Sequence, residues 1–374
     1  MLKITKLEYQ TVRPHWTFVK IHTDEGLVGY GEPVVEGRAR TVLAAVRELE
    51  DWLIGRDPRH IEDLWQRMYR GSFYRGGPIL VSAISGVEQA LWYIFGKSVG
   101  LPVYQLLGGP TRTRIRMYAH CFGETQEQTV AKAKELVGRG FTAMKTGFFW
   151  KAVRIVDTPA FVDRAVAQIA AMREAVGNEI DIAVELHGRF SPAMAIRLCK
   201  ELEPLRPLWV EEPCLPENVD TMVTIARSTT IPIATGERLY TKWGFRDAIE
   251  KQVAQIYQPD LSHAGGLSEV KKIAAMAECY YAGIAPHCPI GPVALAACLH
   301  LDASIPNFVI QEHVTLGEGV LKQPFVIKDG YIDLPTGPGL GVELDEEGLK
   351  EQEIEPDWHL PIFRHDDDGS VGDL

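Results

Sequence analysis

Residues 181–190 read Asp-Ile-Ala-Val-Glu-Leu-His-Gly-Arg-Phe, an apolar run that ends in a carboxylate, Glu185, and two positions later an imidazole, His187. Side chains alternate faces along a strand, so the two project together where the strand stops. A carboxylate beside a titratable ring can hold a metal ion and move a proton. On these residues alone, a polar strand end facing water explains the pair as well. The pattern recurs, however. Lys145, Glu185, Glu211, Glu237, Asp260, His287 and Glu312 each close a short apolar run, and from Glu185 onward the steps are 26, 26, 23, 27 and 25 residues. Near-even steps are expected of equivalent places in successive strand–helix units, whereas scattered surface charge would not keep that register.

Three carboxylates on consecutive strands, Glu185, Glu211 and Glu237, form a hard-oxygen set that suits Mg²⁺ better than Zn²⁺, which favours His and Cys. Asp260 precedes His287 by one unit, close enough to fix the ring's tautomer and raise its basicity. His187 stands four strands away from His287, so the two imidazoles can face opposite sides of one substrate. His263, His300 and His313 are read as structural. Arg75, set among aromatics and glycines in 73–78, is either a contact for a substrate's carboxylate or hydroxyl or an ordinary surface arginine. Trp16, Arg75 and the segment Phe148, Phe149 and Trp150 are placed on cap loops that would read the substrate, and Arg189 is a further substrate-binding candidate.

These side chains need a frame. The chain has 374 residues, 46% hydrophobic and 24% charged, which is ordinary globular composition with enough length for more than one core. With 39 basic and 50 acidic residues its formal charge is −11, which disfavours nucleic acid and anionic lipid as partners. Six dispersed cysteines without a Cys-x-x-Cys pair read as reduced thiols of an intracellular protein. The first residues lack an apolar signal core, and no apolar run approaches the length of a membrane span; a cytoplasmic protein is expected. Alternation over 3–11, 17–22 and 27–32 predicts strands, and helical spacing predicts helices over 38–53, 61–69 and 80–95. Together they make an α+β domain over 1–115. From 116 the texture changes to apolar runs (115–120, 142–145, 182–185, 208–211, 231–235, 254–258, 283–286, 308–312) separated by helices such as 126–138, 160–176, 192–202 and 267–282. Eight such runs predict a closed β/α barrel over 116–320, whose carboxyl-end rim is the usual active-site mouth. An open doubly wound sheet would offer a Gly-x-Gly-x-x-Gly turn, which is lacking. Residues 321–374, rich in Pro, Gly and charge, are expected to pack back on the first domain.

With this layout the chain resembles the mandelate-racemase subgroup of the enolase superfamily, and within it the D-galactonate dehydratases. The resemblance spans nearly the whole chain. It is most specific at 36–41, 73–79, 236–238, 258–266 and 285–292, with 356–358 and 364–365 matching at the end. It implies an α/β fold: a modified (β/α)7β barrel with an N-terminal capping domain completed by the C-terminal segment. It also implies one Mg²⁺ per subunit, a sugar acid as substrate, and a homo-oligomer such as an octamer. His287, oriented by Asp260, would take the C2 proton. Lys145 and the metal would stabilise the enediolate, Glu312 would hydrogen-bond it, and His187 would protonate the departing 3-hydroxyl. Two departures stand out. The first metal ligand in galactonate dehydratases is usually Asp, and here it is Glu185. Gly147 occupies the place where racemases of the subgroup carry a second catalytic lysine. Dehydration of another aldonic acid such as D-gluconate, racemisation or epimerisation with the 3-hydroxyl retained, and a catalytically silent binding role are the alternatives.

Overall fold

The computed structural model describes residues 2–149 and 151–373; Trp150, named above among the cap-loop candidates, lies outside the described residues. Three antiparallel strands, β1 (Ile4–Val12), β2 (Trp16–Thr23) and β3 (Val28–Gly31), pack against α1 (Ala39–Leu53), α2 (Ile61–Arg70) and α3 (Gly77–Val99). α3 is longer than predicted. It is long and apolar enough to cross a membrane, yet 78% of that apolar stretch is buried inside the protein, where it forms the core of the capping unit. Its glycine C-cap, Gly100 at φ 69°, ends it in the left-handed conformation.

A short α4 (Val103–Leu106) leads into eight parallel strands: β4 (Arg114–His120), β5 (Ala143–Gly147), β6 (Asp181–Glu185), β7 (Trp209–Glu211), β8 (Ile233–Thr235), β9 (Ile256–Tyr257), β10 (Gly283–Ile284) and β11 (Gln311–Glu312). Between them lie α5 (Gln126–Gly138), α6 (Pro159–Val176), α7 (Pro192–Leu202), α8 (Val219–Ala226), α9 (Thr241–Glu250), α10 (Leu267–Glu278) and α11 (Pro292–Ser304). The order is β10-β9-β8-β7-β6-β5-β4-β11. A parallel bridge from Ile284 to Phe308 joins the two ends and closes the barrel. The later strands are shorter than their apolar runs suggest: β7, β8 and β11 begin late in theirs, β10 ends early, and β9 does both. α11 has no polar face to announce it: all its residues are buried. Its interior counterpart is a layer in which the alanines Ala143, Ala183, Ala234 and Ala285 make room for Tyr118 and Trp209, the small-and-large packing that fills a narrow barrel.

After β11 the chain adds β12 (Tyr331–Asp333), antiparallel to β4, and α12 (Glu346–Gln352). It then returns to the first strands. Arg13 N–H donates to Gln352 O (3.0 Å), Ile354 N–H donates to Thr11 O (2.9 Å), and the Tyr30 hydroxyl donates to Glu346 (2.8 Å).

Two buried glutamates of the capping unit seat it on the barrel. Glu32, just after β3, accepts from Gly291 N–H (2.9 Å) and Ala294 N–H (3.0 Å) at the start of α11. Glu88, on α3, accepts from Leu267 N–H (2.8 Å) and Ser268 N–H (2.9 Å) at the start of α10. Each fills helix N–H groups that have no intrahelical partner, at the end of the helix dipole that favours negative charge. Glu88 therefore has a positioning task and no place at the mouth. Glu32→Ala leaves those buried donors without partners, and a loss of about 1–3 kcal/mol in urea unfolding is expected; an unchanged unfolding midpoint would contradict this reading.

Candidate metal and proton-transfer site

Strand register brings the acids together. His120 pairs with Lys145 across β4 and β5, and Glu185 pairs with Glu211 across β6 and β7. One oxygen from each of Glu185, Glu211 and Glu237 lies within 4.8 Å of the other two. Glu185 is longer than the aspartate usual at its place, and it folds back: its Oε1 accepts from the N–H of His187 at 2.6 Å. Its Oε2 is buried without a hydrogen-bond partner. Trp209 Nε1 donates to Glu211 Oε2 at 2.9 Å and fixes that carboxylate from the barrel floor. A buried carboxylate oxygen left over, facing two further carboxylates, fits a hard divalent cation.

Lys145 supplies the positive charge that the fold itself builds in. Its Nζ is 2.7 Å from Glu211, 2.7 Å from Glu312 and 3.6 Å from Glu185. Burial raises the Glu185 carboxyl well above its ordinary range, and Glu211 beside it adds to the rise. Burial works the same way on Glu211, but the Lys145 ammonium outweighs it and holds that carboxyl low. Two carboxylates side by side cannot both ionise cheaply without such a charge between them.

His287 Nδ1 is 2.9 Å from Asp260 Oδ2, and its Nε2 is 3.5 Å from Glu237. Burial alone would pull this imidazole down. Glu237, Glu312 and Asp260 together raise it well above its usual value. Asp260 is itself pinned by the N–H of Ser262 (2.7 Å). His187 faces the same cavity, with its ring edge-on to Phe149 at 4.9 Å. Burial, then Lys145 and Arg189, push it down to about 4. Its backbone sits at φ 55°, in the left-handed region, followed by Gly188 at φ 69°. Strain of that kind at a non-glycine residue persists where the surroundings over-determine it. Here Gly188 N–H donates to Glu212 O at 2.7 Å. The buried Glu212 in turn binds Arg238 (2.6 and 3.1 Å) and the N–H of Gly236 (3.1 Å), which sets the loop that carries Glu237.

The cavity holds about 700 Å³ and is walled by all three parts of the chain. The barrel contributes Lys145, Glu185, His187, Glu237, His287 and Glu312, the capping unit contributes Glu36, and the tail contributes Trp358 and Asp373. Seven of the eight expected metal and catalytic residues thus line the cavity or hold a residue that does, and Glu211 joins them through the triad.

The three substrate-binding candidates do not line it. Trp16 is buried in the hydrophobic core where β2 begins. Arg75 packs over Tyr69 at 5.9 Å and faces a separate hollow of the capping unit. Arg189 turns away, donating to the carbonyls of Phe148 (2.7 Å) and Lys151 (3.3 Å). Their types were suggestive, but local packing claimed each one.

Other wall residues escaped notice. His120 Nε2–H donates to the Glu312 carboxylate at 2.6 Å. It stands 25 residues before Lys145, so the strand-end register could have found it. His263, read above as structural, lines the cavity 3.6 Å from Glu36 and 4.0 Å from Asp260. His300, which is buried, and His313, which is half-buried, do not line it. Glu36, Tyr240 and Trp358 carry no periodic signal.

The comparisons agree with this geometry. Residues 128–348 match the family described as enolase C-terminal domain-like, and residues 5–108 match the mandelate racemase/muconate lactonizing enzyme N-terminal domain. The chain belongs to the mandelate racemase subgroup of the enolase superfamily. The D-galactonate dehydratases of Ralstonia pickettii (strain 12J) and Cronobacter sakazakii are each 49% identical to it, with 100% of both chains covered. Among solved structures, a mandelate racemase/muconate lactonizing enzyme from Sulfitobacter sp. superposes with a TM-score of 0.90 at 36% identity, covering 96% of this chain and 98% of that one. A member of the enolase superfamily from Salmonella Typhimurium superposes with a TM-score of 0.89 at 33% identity, covering 95% and 99%.

A Cβ on Gly188 would lie 2.3 Å from Arg238 Nη2. Gly188→Ala therefore disturbs the brace behind Glu237, and a loss of divalent-ion affinity of about 10- to 100-fold is expected by calorimetry, as for other residues that hold metal ligands in place. Wild-type affinity in that variant would show that the brace does not position the ligand.

Proposed function

We propose that this protein is a Mg²⁺-dependent dehydratase of a sugar acid, with D-galactonate as the first substrate and 2-keto-3-deoxy-galactonate as the product. The observation that carries the reading is the placing of His187 and His287 in one cavity with the three acids. Full-length likeness to relatives named D-galactonate dehydratase supports the choice of sugar. Division into a cap (1–115), a barrel (116–320) and a returning segment (321–374) goes with this reading, as do a cytoplasmic setting and a homo-oligomer.

Glu185, Glu211 and Glu237 would hold the cation. When bound, it supplies positive charge for the substrate carboxylate and the negative charge that develops next to C2, and it offsets the pull of Glu237 on the His287 proton. His287, kept in one tautomer by Asp260, takes the C2 proton at Nε2. Lys145 provides a fixed ammonium for the enediolate, and Glu312, held by the N–H of Cys288 (2.8 Å) and by His120, is placed to hydrogen-bond it. His187 delivers a proton to the 3-hydroxyl as the C3–O bond breaks. Water leaves, and the enol becomes the keto acid. His187 is neutral near pH 7 before substrate arrives. The charge of a bound acid acts to raise it toward the protonated form that the step requires.

Gly147 supports dehydration over racemisation. A Cβ there would lie 2.6 Å from the Phe149 ring and 2.8 Å from Glu185 O, so a lysine has no room.

His287→Asn is expected to lower solvent deuterium exchange at C2 of D-galactonate by about 10²- to 10⁴-fold. His187→Asn should keep exchange while keto-acid formation falls by a similar factor of about 10²–10⁴. Normal keto-acid formation by His187→Asn would remove it from the acid role, and turnover of gluconate but not galactonate would replace the sugar.

A further inference from the structure

The parts of the chain outside the barrel bring two more carboxylates to the cavity wall, Glu36 from the capping unit and Asp373 from the tail. The proton-transfer steps use neither. Glu36 is not a loose surface acid. Its Oε2 lies 3.6 Å from Nε2 of the buried His263, whose Nδ1 is 2.9 Å from the hydroxyl of Ser82 on α3. About a third of the Glu36 side chain remains exposed, and the residue lines the cavity. Burial tends to raise its carboxyl, but His263 outweighs that and brings it down to about 2, so Glu36 stays ionised.

The cations of this wall are already engaged. Among the described residues that line the cavity, the lysine and arginine are Lys145 and Arg238. Lys145 lies between Glu211 and Glu312, and Arg238 is held by Glu212 at 2.6 Å. An aldonic acid has one carboxylate and ends in a hydroxymethyl group. The aldaric acid of the same sugar has a carboxylate at both ends. With one carboxylate directed to the acids and Lys145 at the barrel floor, the far end meets the cap and the tail. A hydroxyl there can donate to a carboxylate. A second carboxylate there would meet like charge, with the His263 imidazole already turned to Glu36 and, among the described residues of the lining, no lysine or arginine left unpaired.

We propose that Glu36, steadied by His263 and Ser82, is a specificity-determining residue that accepts hydrogen bonds from the hydroxyl end of the substrate and turns away a second carboxylate, so that this pocket selects aldonic over aldaric acids. The proposal rests on the dehydratase reading and narrows its substrate class. Two like charges about 6 Å apart at an effective dielectric near 20 cost on the order of 100-fold in affinity.

The test compares kcat/KM for D-galactonate and for galactarate in the Mg²⁺-loaded wild-type protein, Glu36→Gln and Glu36→Asp, read by keto-acid formation. The wild type should favour galactonate by about 100-fold. Glu36→Gln should narrow that ratio at least tenfold, with galactarate also becoming a tighter competitive inhibitor, while Glu36→Asp, which keeps the charge, should hold the ratio near the wild-type value. Equal losses on both acids in Glu36→Gln with an unchanged ratio, or a wild-type protein that uses galactarate as readily as galactonate, would overturn the proposal. If the wild type dehydrates a different aldonate, only the sugar assignment fails, and the same comparison with that aldonate and its aldaric acid decides the role of Glu36. If it dehydrates no aldonate, the dehydratase reading falls and takes this one with it.

Discussion

Carboxylates buried side by side repel one another, and the cost of hiding them from water is several kcal/mol each unless positive charge is brought between them. Glu185, Glu211, Glu237 and Glu312 all sit at the carboxyl end of one barrel, and each lies within 3.6 Å of Lys145 or His287. A single ammonium answers part of that charge. The Oε2 of Glu185, buried without a hydrogen bond and with the Lys145 ammonium no nearer than 3.6 Å, marks what is left over, and it is the feature that most directly calls for a divalent cation. The rest of the mouth follows from this one concentration of charge. It raises the basicity of His287, it keeps Lys145 charged despite burial, and it sets the electrostatic stage on which a weakly acidic carbon can lose a proton.

Holding such a set against its own repulsion takes scaffolding outside the barrel. Glu32 and Glu88 tie the capping unit to the N-termini of α11 and α10, two helices that follow β10 and β9. Those strands lead to His287 and Asp260, so the cap is registered against the proton-transfer pair by buried hydrogen bonds from backbone N–H groups to carboxyl oxygens. On the other side, Glu212 and Arg238 brace the Glu237 loop and press on Gly188, just beyond the strained His187. The returning tail closes the wall, with Trp358 stacked on His15 at 4.2 Å. A cavity built from three parts of the chain can then exclude water from the barrel floor while its outer face reads the far end of the ligand.

How much of this was legible in the sequence depends on whether a residue obeys a period. Glu185, Glu211, Glu237, Asp260, His287 and Glu312 do, because each occupies the same place in a βα unit, and their common site was readable from spacing alone. His120 obeys the same register but ends the first strand of the barrel, one unit before Lys145 and two before the first of the acids. Cap and tail residues have no such rule. Glu36 and Trp358 reach the cavity through loop paths that local sequence does not encode, while Trp16, Arg75 and Arg189, chosen for their chemistry, were taken up by the core, by Tyr69 and by backbone carbonyls. Helices with a polar face, such as α5 and α7, were found to the residue, whereas the wholly buried α11 offered no amphipathic contrast to read.

The claim on which everything else depends is that one cation binds among three strand-end carboxylates. A crystal of the protein grown or soaked with Mg²⁺ tests it most directly. The expected result is one octahedral ion with an oxygen from each of Glu185, Glu211 and Glu237 at about 2.0–2.1 Å, with waters completing its shell. An ion bound elsewhere, or Glu185 and Glu211 still bridged by Lys145 with no ion at saturating Mg²⁺, would contradict it.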